Sequence, residues 1–294
     1  MSVRPKVNDQ LDRPEKKQKN FRGSSFIGLN NYNYCKFVST VALLLLLSLG
    51  IPLSAEDNKE ASSNKIIGQW HFDEGEGEIA KDSSGTGADL KLSGATWAEG
   101  KKGKCLAFDG KGSCAYTAKI YQCFELTGNE FTISCWVKPE YEYPKPMFII
   151  SNSLSAHRGP GYRLCFSYGA LNFGSGEGWG KNKKYWSVHT PKFKDGKVPE
   201  KTIQKGSWYK GVVNNRWYHI AVTYKGGLYK IYVDGKIAGE KQEKAVVPAK
   251  HRLVIGNRNP KESKLCYKGL IDEVEILNRA KTGEEIIDDA LLVQ

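Results

Sequence analysis

The sequence holds seven cysteines but no Cys-x-x-Cys pair. Zinc-ribbon and thioredoxin-like chemistry need two thiols on one tight turn, so neither has support. There is no Gly-x-Ser-x-Gly and no phosphate-cradling Gly-x-x-x-x-Gly-Lys-Ser/Thr, which removes the nucleophile elbow and the P-loop. No recognition-helix pattern, zinc-finger spacing or RNP-like strand occurs, and with them goes the main case for nucleic acid as a partner. The five histidines, His71, His157, His189, His219 and His251, are scattered. His219 reads as a polar cross-strand residue rather than a base.

What is present points to an exported all-β domain. The 294 residues are 40% hydrophobic and 11% aromatic, enough for a large core. The net charge is +12, of which residues 1–55 carry +5. The remainder, spread over 239 residues, makes a mildly basic surface rather than a polyanion-binding charge density. Residues 1–36 are polar and basic, and the apolar run FVSTVALLLLLSL follows at Phe37 to Leu49. Small residues then lead to Ala55. That order describes a secretory signal. Residues 37–55 are also just long enough for an uncleaved membrane anchor, and both readings place the rest outside the cytoplasm. Three segments result: residues 1–55 as targeting region, 56–65 as polar linker and 66–294 as the folded domain.

Six cysteines lie beyond the apolar run: Cys105, Cys114, Cys123, Cys135, Cys165 and Cys266. An even number in an exported domain is compatible with disulfides. If residues 109–112 turn a hairpin, Cys105 and Cys114 sit diagonally on one face and could pair. Buried thiols are the competing reading.

The fold reading rests on WYHIAVTYKGGLYKIYVDGKIAGE, residues 217–240. Tyr218, Ile220, Val222 and Tyr224 alternate with Trp217, His219, Ala221 and Thr223, the period of a half-buried strand. Gly226-Gly227 suits a two-residue type I′ turn. That turn fixes the register: Lys225 opposite Leu228, Tyr224 opposite Tyr229, Val222 opposite Ile231 and Ile220 opposite Val233. Asp234-Gly235 starts a third strand. Further strands are expected at Ile66 to Phe72, Cys105 to Phe108, Cys114 to Thr117, Phe131 to Val137, Met147 to Asn152, Tyr162 to Tyr168, Arg252 to Ile255 and Leu270 to Leu277. Thr282-Gly-Glu-Glu285 is a capping box and predicts a short C-terminal helix. About ten short strands with one terminal helix make an all-β sandwich.

The hairpin resembles that of the laminin G-like jelly rolls in the concanavalin A-like lectin/glucanase superfamily. Five further stretches carry the resemblance in the same order: QWHFDE at Gln69, KDSSG at Lys81, CLAFDG at Cys105, FTISCWVKP at Phe131 and GLIDEVEILNRA at Gly269. The resemblance implies a two-sheet antiparallel jelly roll. It also implies a structural calcium ion joining the first strand, a Gly-rich loop and the last strand. Asp272 is then the leading ligand, with Asp73, Asp109 and Gly110 as weaker ones; oxygen ligands from distant segments suit Ca²⁺. The glucanase branch uses Glu-x-Asp-x-x-Glu on one strand for acid/base work. That spacing is absent here, and Glu273 with Glu275 has no third acid at the required step.

One stretch departs from the family pattern. Residues 174–215 read as a long loop rich in rings and lysines, and long loops in compact domains tend to carry function. Trp179, Tyr185, Trp186 and Trp208 are the candidates for stacking on sugar faces, with lysines to meet carboxylate or sulfate. A lid or extra hairpin, its rings filling local core and its lysines solvated, is the competing reading. The expectation is an exported, non-catalytic module that binds carbohydrate, with an acidic glycan as one possibility. A structural or protein-binding module of the cell envelope is the alternative.

Overall fold

The computed structural model describes residues 65–142, 144–153, 159–178, 183–191, 213–261 and 263–291. The targeting region, the linker, Trp179 and Trp208 lie outside the described residues. Among the described residues, sixteen strands form two antiparallel sheets of eight, with one C-terminal helix.

The first sheet contains β1 (Ile66–Trp70), β4 (Thr96–Glu99), β5 (Lys104–Asp109), β7 (Glu130–Pro139), β12 (Tyr218–Lys225), β13 (Leu228–Val233), β14 (Lys236–Gln242) and β16 (Lys268–Leu277). The second contains β2 (Ile79–Ala80), β3 (Leu90–Ser93), β6 (Cys114–Thr117), β8 (Met147–Ser151), β9 (Tyr162–Ser167), β10 (Ala170–Gly176), β11 (Tyr185–His189) and β15 (Val254–Ile255). The order in the second sheet is β11-β10-β9-β8-β15-β6-β3-β2. Helix α1 (Gly283–Leu291) buries Ile286 and Ala290, and Ile286 clusters with Ala221 and Tyr232 on the outer side of the first sheet.

The hairpin expected at residues 217–240 is present in its expected register. Ile220 pairs with Val233, Val222 with Ile231, Tyr224 with Tyr229 and Lys225 with Leu228. Gly226 and Gly227 have φ of 54° and 94°, the signs a type I′ turn requires. One face of every strand points to a shared core, because period-two alternation leaves no other arrangement that hides the apolar set. The capping box also forms. Glu285 N donates to Thr282 Oγ1 at 3.2 Å, and Thr282 N donates to Glu285 Oε2 at 2.8 Å.

Two expectations need correction. Cys105 to Phe108 and Cys114 to Thr117 do not form a hairpin. β5 pairs with β4 and β16 in the first sheet, while β6 pairs with β3 and β15 in the second. The tight turn at Asp109 is a corner where the chain changes sheets; Asp109 Oδ1 accepts from Lys111 N at 2.8 Å and from Ser113 Oγ at 2.7 Å. Cys105 and Cys114 therefore belong to different sheets, and no disulfide joins any of the six described cysteines. The second correction concerns residues 174–215. Their described parts include the end of β10 and all of β11, so this stretch is not one continuous loop.

Gly256 shows how tightly the second sheet is held. Its φ is +79°, and a Cβ there would meet the Phe108 ring at 2.2 Å. Both the left-handed backbone and the overlap penalise any side chain. Gly256→Ala is expected to cost roughly 2–4 kcal/mol in urea unfolding. An unchanged midpoint would contradict this packing.

Candidate functional site

The outer face of β9, β10 and β11 carries the most unusual side-chain arrangement in the molecule. Along β9, Tyr162, Leu164 and Phe166 join the core. Arg163 and Cys165 therefore point the other way. Arg163 pairs with Gly174 of β10, and Gly174 pairs with Ser187 of β11. Tyr185 pairs with Gly176. Two glycines thus leave the middle strand without side chains beside Arg163 and Tyr185. The Arg163 guanidinium lies across that gap, its central carbon 4.7 Å from the Tyr185 ring centre. Gly174 is needed for this: a Cβ there would come 3.1 Å from Arg163 Nη2 and 2.6 Å from the Trp186 carbonyl oxygen.

Arg163 is only 1% exposed, and neither terminal nitrogen of its guanidinium has a hydrogen-bond partner. The same face continues across the sheet through Ser151, Val254 and Tyr116. Arg252 there lies 5.8 Å from the Tyr116 ring centre. Three strand spacings separate Tyr116 from Arg163, about 14 Å. Two ring–guanidinium pairs therefore sit on one face of one rigid sheet.

Of the two stacking candidates among the described residues, Tyr185 lies on this face, 42% exposed. Trp186, one residue on, points inward. It is 7% exposed and its ring centre lies 4.7 Å from Tyr229, so it is a core ring and not a ligand platform. Sequence reasoning missed Arg163, Arg252 and Tyr116. The available signal was a lone Arg inside the otherwise apolar run Tyr162 to Phe166.

The residues named for calcium do not form an oxygen cage. Asp272 is fully buried. Its Oδ2 accepts from Lys101 N at 2.8 Å and Lys102 N at 3.1 Å, and its Oδ1 accepts from Glu273 N at 2.8 Å. Asp73 Oδ1 accepts from Lys104 N at 2.9 Å. Both carboxylates thus fasten the 100–104 loop by accepting backbone N–H groups. The Asp109–Gly110 turn is elsewhere: Asp109 pairs with Lys268, four residues along β16 from Asp272, or about 13 Å. Among the described residues no group of three or more His, Cys, Asp or Glu could hold a metal ion.

A second polar pocket, of about 180 Å³, lies on the outer side of the first sheet. It gathers Trp136, His219, Glu273, Glu275, Lys281 and Asp289. Lys281 Nζ bonds both Glu275 and Asp289, the latter at 2.8 Å. Glu273 Oε2 lies 2.7 Å from His71 Nδ1. His219 is 2% exposed, and burial pulls its pKa down to about 4, so the imidazole is neutral near pH 7. The carboxylates that the sequence scatters are brought together here. The Lys281 ammonium thus ties Glu275 of β16 to Asp289 of α1 in one ion network.

Residues 110–287 match the family described as the concanavalin A-like lectin/glucanases superfamily. No curated protein matches the chain by sequence. Among solved structures, domain 4 of AbnA, a GH43 extracellular arabinanase from Geobacillus stearothermophilus in complex with arabinotriose, is 21% identical with a TM-score of 0.52. That match covers 78% of this chain and 99% of the domain. The binding domain of Paraclostridial Mosquitocidal Protein 1 is 15% identical, TM-score 0.58, with 77% of this chain and 52% of that one covered. Trypanosoma rangeli sialidase is 16% identical, TM-score 0.53, over 77% of this chain and 32% of the sialidase. The chain thus spans about half of the toxin domain and a third of the sialidase. At these identities the likeness is one of fold.

Two outcomes follow from the geometry. Trp186→Ala should cost about 3–5 kcal/mol of stability, the range for deleting a buried aromatic, and Tyr185→Ala no more than about 1 kcal/mol; equal losses in chemical denaturation would place both rings wrongly. Burial of Asp272 outweighs the amide donors from Lys102 and Lys101 and lifts its pKa from 3.8 to about 6. Between those values the unfolded chain releases this proton first, so Asp272 lowers stability as pH rises from about 4 to about 6, by on the order of 3 kcal/mol. The depressed His219 pulls the opposite way over that range. The difference between wild-type and Asp272→Asn pH profiles isolates the carboxyl group, and parallel profiles would refute the shift.

Proposed function

The chain belongs to the concanavalin A-like lectin/glucanases superfamily, and from that premise we propose that it is a non-catalytic module that binds carbohydrate outside the cytoplasm. The observation that carries this reading is the pair of ring–guanidinium contacts on the outer face of the second sheet, Arg163 with Tyr185 and Arg252 with Tyr116. A flat ring offers a sugar face an apolar platform, and a guanidinium offers fixed donors to its oxygens. Strands hold Arg163, Tyr185 and Tyr116 more rigidly than a loop would, which lowers the ordering cost of binding. The basic, apolar and small-residue order of residues 1–55 supports export.

Absence of catalysis is the other half of the proposal. It is supported by the missing Glu-x-Asp-x-x-Glu strand and by the Lys281 ammonium that holds Glu275 and Asp289.

The test is affinity electrophoresis of the full chain in gels cast with plant and bacterial polysaccharides, alongside a reducing-sugar assay on the same polymers. The expected result is retardation by at least one polymer without release of sugar. Tyr185→Ala should weaken that retention about three- to tenfold, the equivalent of roughly 0.5–1.5 kcal/mol. Migration unaffected by every polymer, with capture of an envelope protein instead, would favour the protein-binding alternative. Released sugar would overturn the non-catalytic reading.

A further inference from the structure

Among the described residues, no carboxylate pairs with the Arg163 guanidinium. Both terminal nitrogens are buried and without hydrogen-bond partners. Among the described residues it forms no ion pair with a carboxylate, and the ring it meets is that of Tyr185. Glu177, the described acid nearest in sequence to β11, is already engaged by Lys184 N and the Lys244 ammonium. A buried cation without a counter-ion is among the most costly arrangements a fold can keep, worth several kcal/mol. The fold makes specific room for it: Gly174 clears the strand over which it lies, and Gly176 leaves the space before Tyr185 without a side chain. Cys165, its neighbour on the same face, is neutral, since burial pushes its thiol up to about 11. Among the described residues, no carboxylate satisfies the guanidinium.

The geometry points to Arg163 as the anion-reading group of the binding face, taking a carboxylate or sulfate of an acidic glycan while Tyr185 covers the adjoining sugar ring. This rests on the carbohydrate-binding reading above and narrows it to a ligand class. A planar guanidinium donates two parallel N–H bonds to the two oxygens of a carboxylate or sulfate, and burial strengthens that pairing against water. Tyr185, 42% exposed, is the ring that has to turn about its Cα–Cβ bond to admit the anion.

The full chain is titrated with four probes: polygalacturonate, its fully methyl-esterified form, dextran sulfate and dextran. The first pair reads carboxylate and the second sulfate. Wild type is expected to bind one charged probe at least tenfold more tightly than its uncharged counterpart, with the preference surviving 0.5 M NaCl because a buried pair is screened little. Arg163→Gln should abolish the preference, and Arg163→Lys should recover only part of it, because a lysine cannot make the bidentate contact. Arg163→Gln should also unfold at the same temperature or higher, since it removes an unanswered buried charge; a purely structural arginine would show a marked drop. A charge preference that persists in Arg163→Gln, or that vanishes in 0.5 M NaCl, overturns the assignment to Arg163. Equal binding of charged and uncharged probes overturns it too, while leaving carbohydrate binding intact. Binding to none of these or to any polymer in the gel survey overturns both.

Discussion

The two sheets depend on one cluster of rings. Phe131 of β7 meets Tyr224 at 5.4 Å and Tyr229 at 6.0 Å within its own sheet, and Phe173 of the facing sheet at 5.9 Å. Tyr162 stacks on Phe173, and Trp186 closes on Tyr229 at 4.7 Å. Large rings bury more apolar area per residue than any other side chain, and tilted pairs at these separations add to that burial. Because β9, β10 and β11 commit Tyr162, Phe173 and Trp186 to this cluster, period-two geometry sends Arg163, Gly174 and Tyr185 to the opposite surface. The core and the binding face are thus two readings of the same strands.

The outer surfaces of the two sheets are used differently. On the first, α1 packs over Ala221 and Tyr232, and Lys281 ties β16 to the helix through Glu275 and Asp289. Its charged groups answer one another. Asp272 and Asp73 perform a related task at the 100–104 loop, where carboxylates receive backbone N–H groups. On the second sheet the Arg163 guanidinium has no carboxylate partner among the described residues. A surface whose polar groups are satisfied stabilises a fold, whereas a buried unsatisfied one stores a cost that a ligand can relieve.

Much of the frame was legible in the sequence, because alternation plus Gly226-Gly227 leaves one register that hides Ile220, Val222, Tyr224 and their partners. The capping box was legible for the same reason: its donors and acceptors are three residues apart. Errors arose where local pattern is silent about partners. A short turn between two strands reads alike whether it closes a hairpin or turns a corner, so Cys105 and Cys114 were placed side by side. Trp186 and Tyr185 are neighbours in sequence but face opposite sides, a distinction that required recognising Tyr185–His189 as a strand. The convergence of Glu275, Lys281 and Asp289 depends on where α1 docks. The isolation of Arg163 depends on every strand around it, and no spacing rule reports that.

Amide NMR of the protein titrated with an acidic oligosaccharide tests the account most directly. Shift changes should concentrate at Arg163, Gly174, Gly176 and Tyr185, with the Glu275–Lys281–Asp289 network undisturbed and the oligosaccharide intact. Changes centred on that network instead, or signals from a cleaved product, would contradict it.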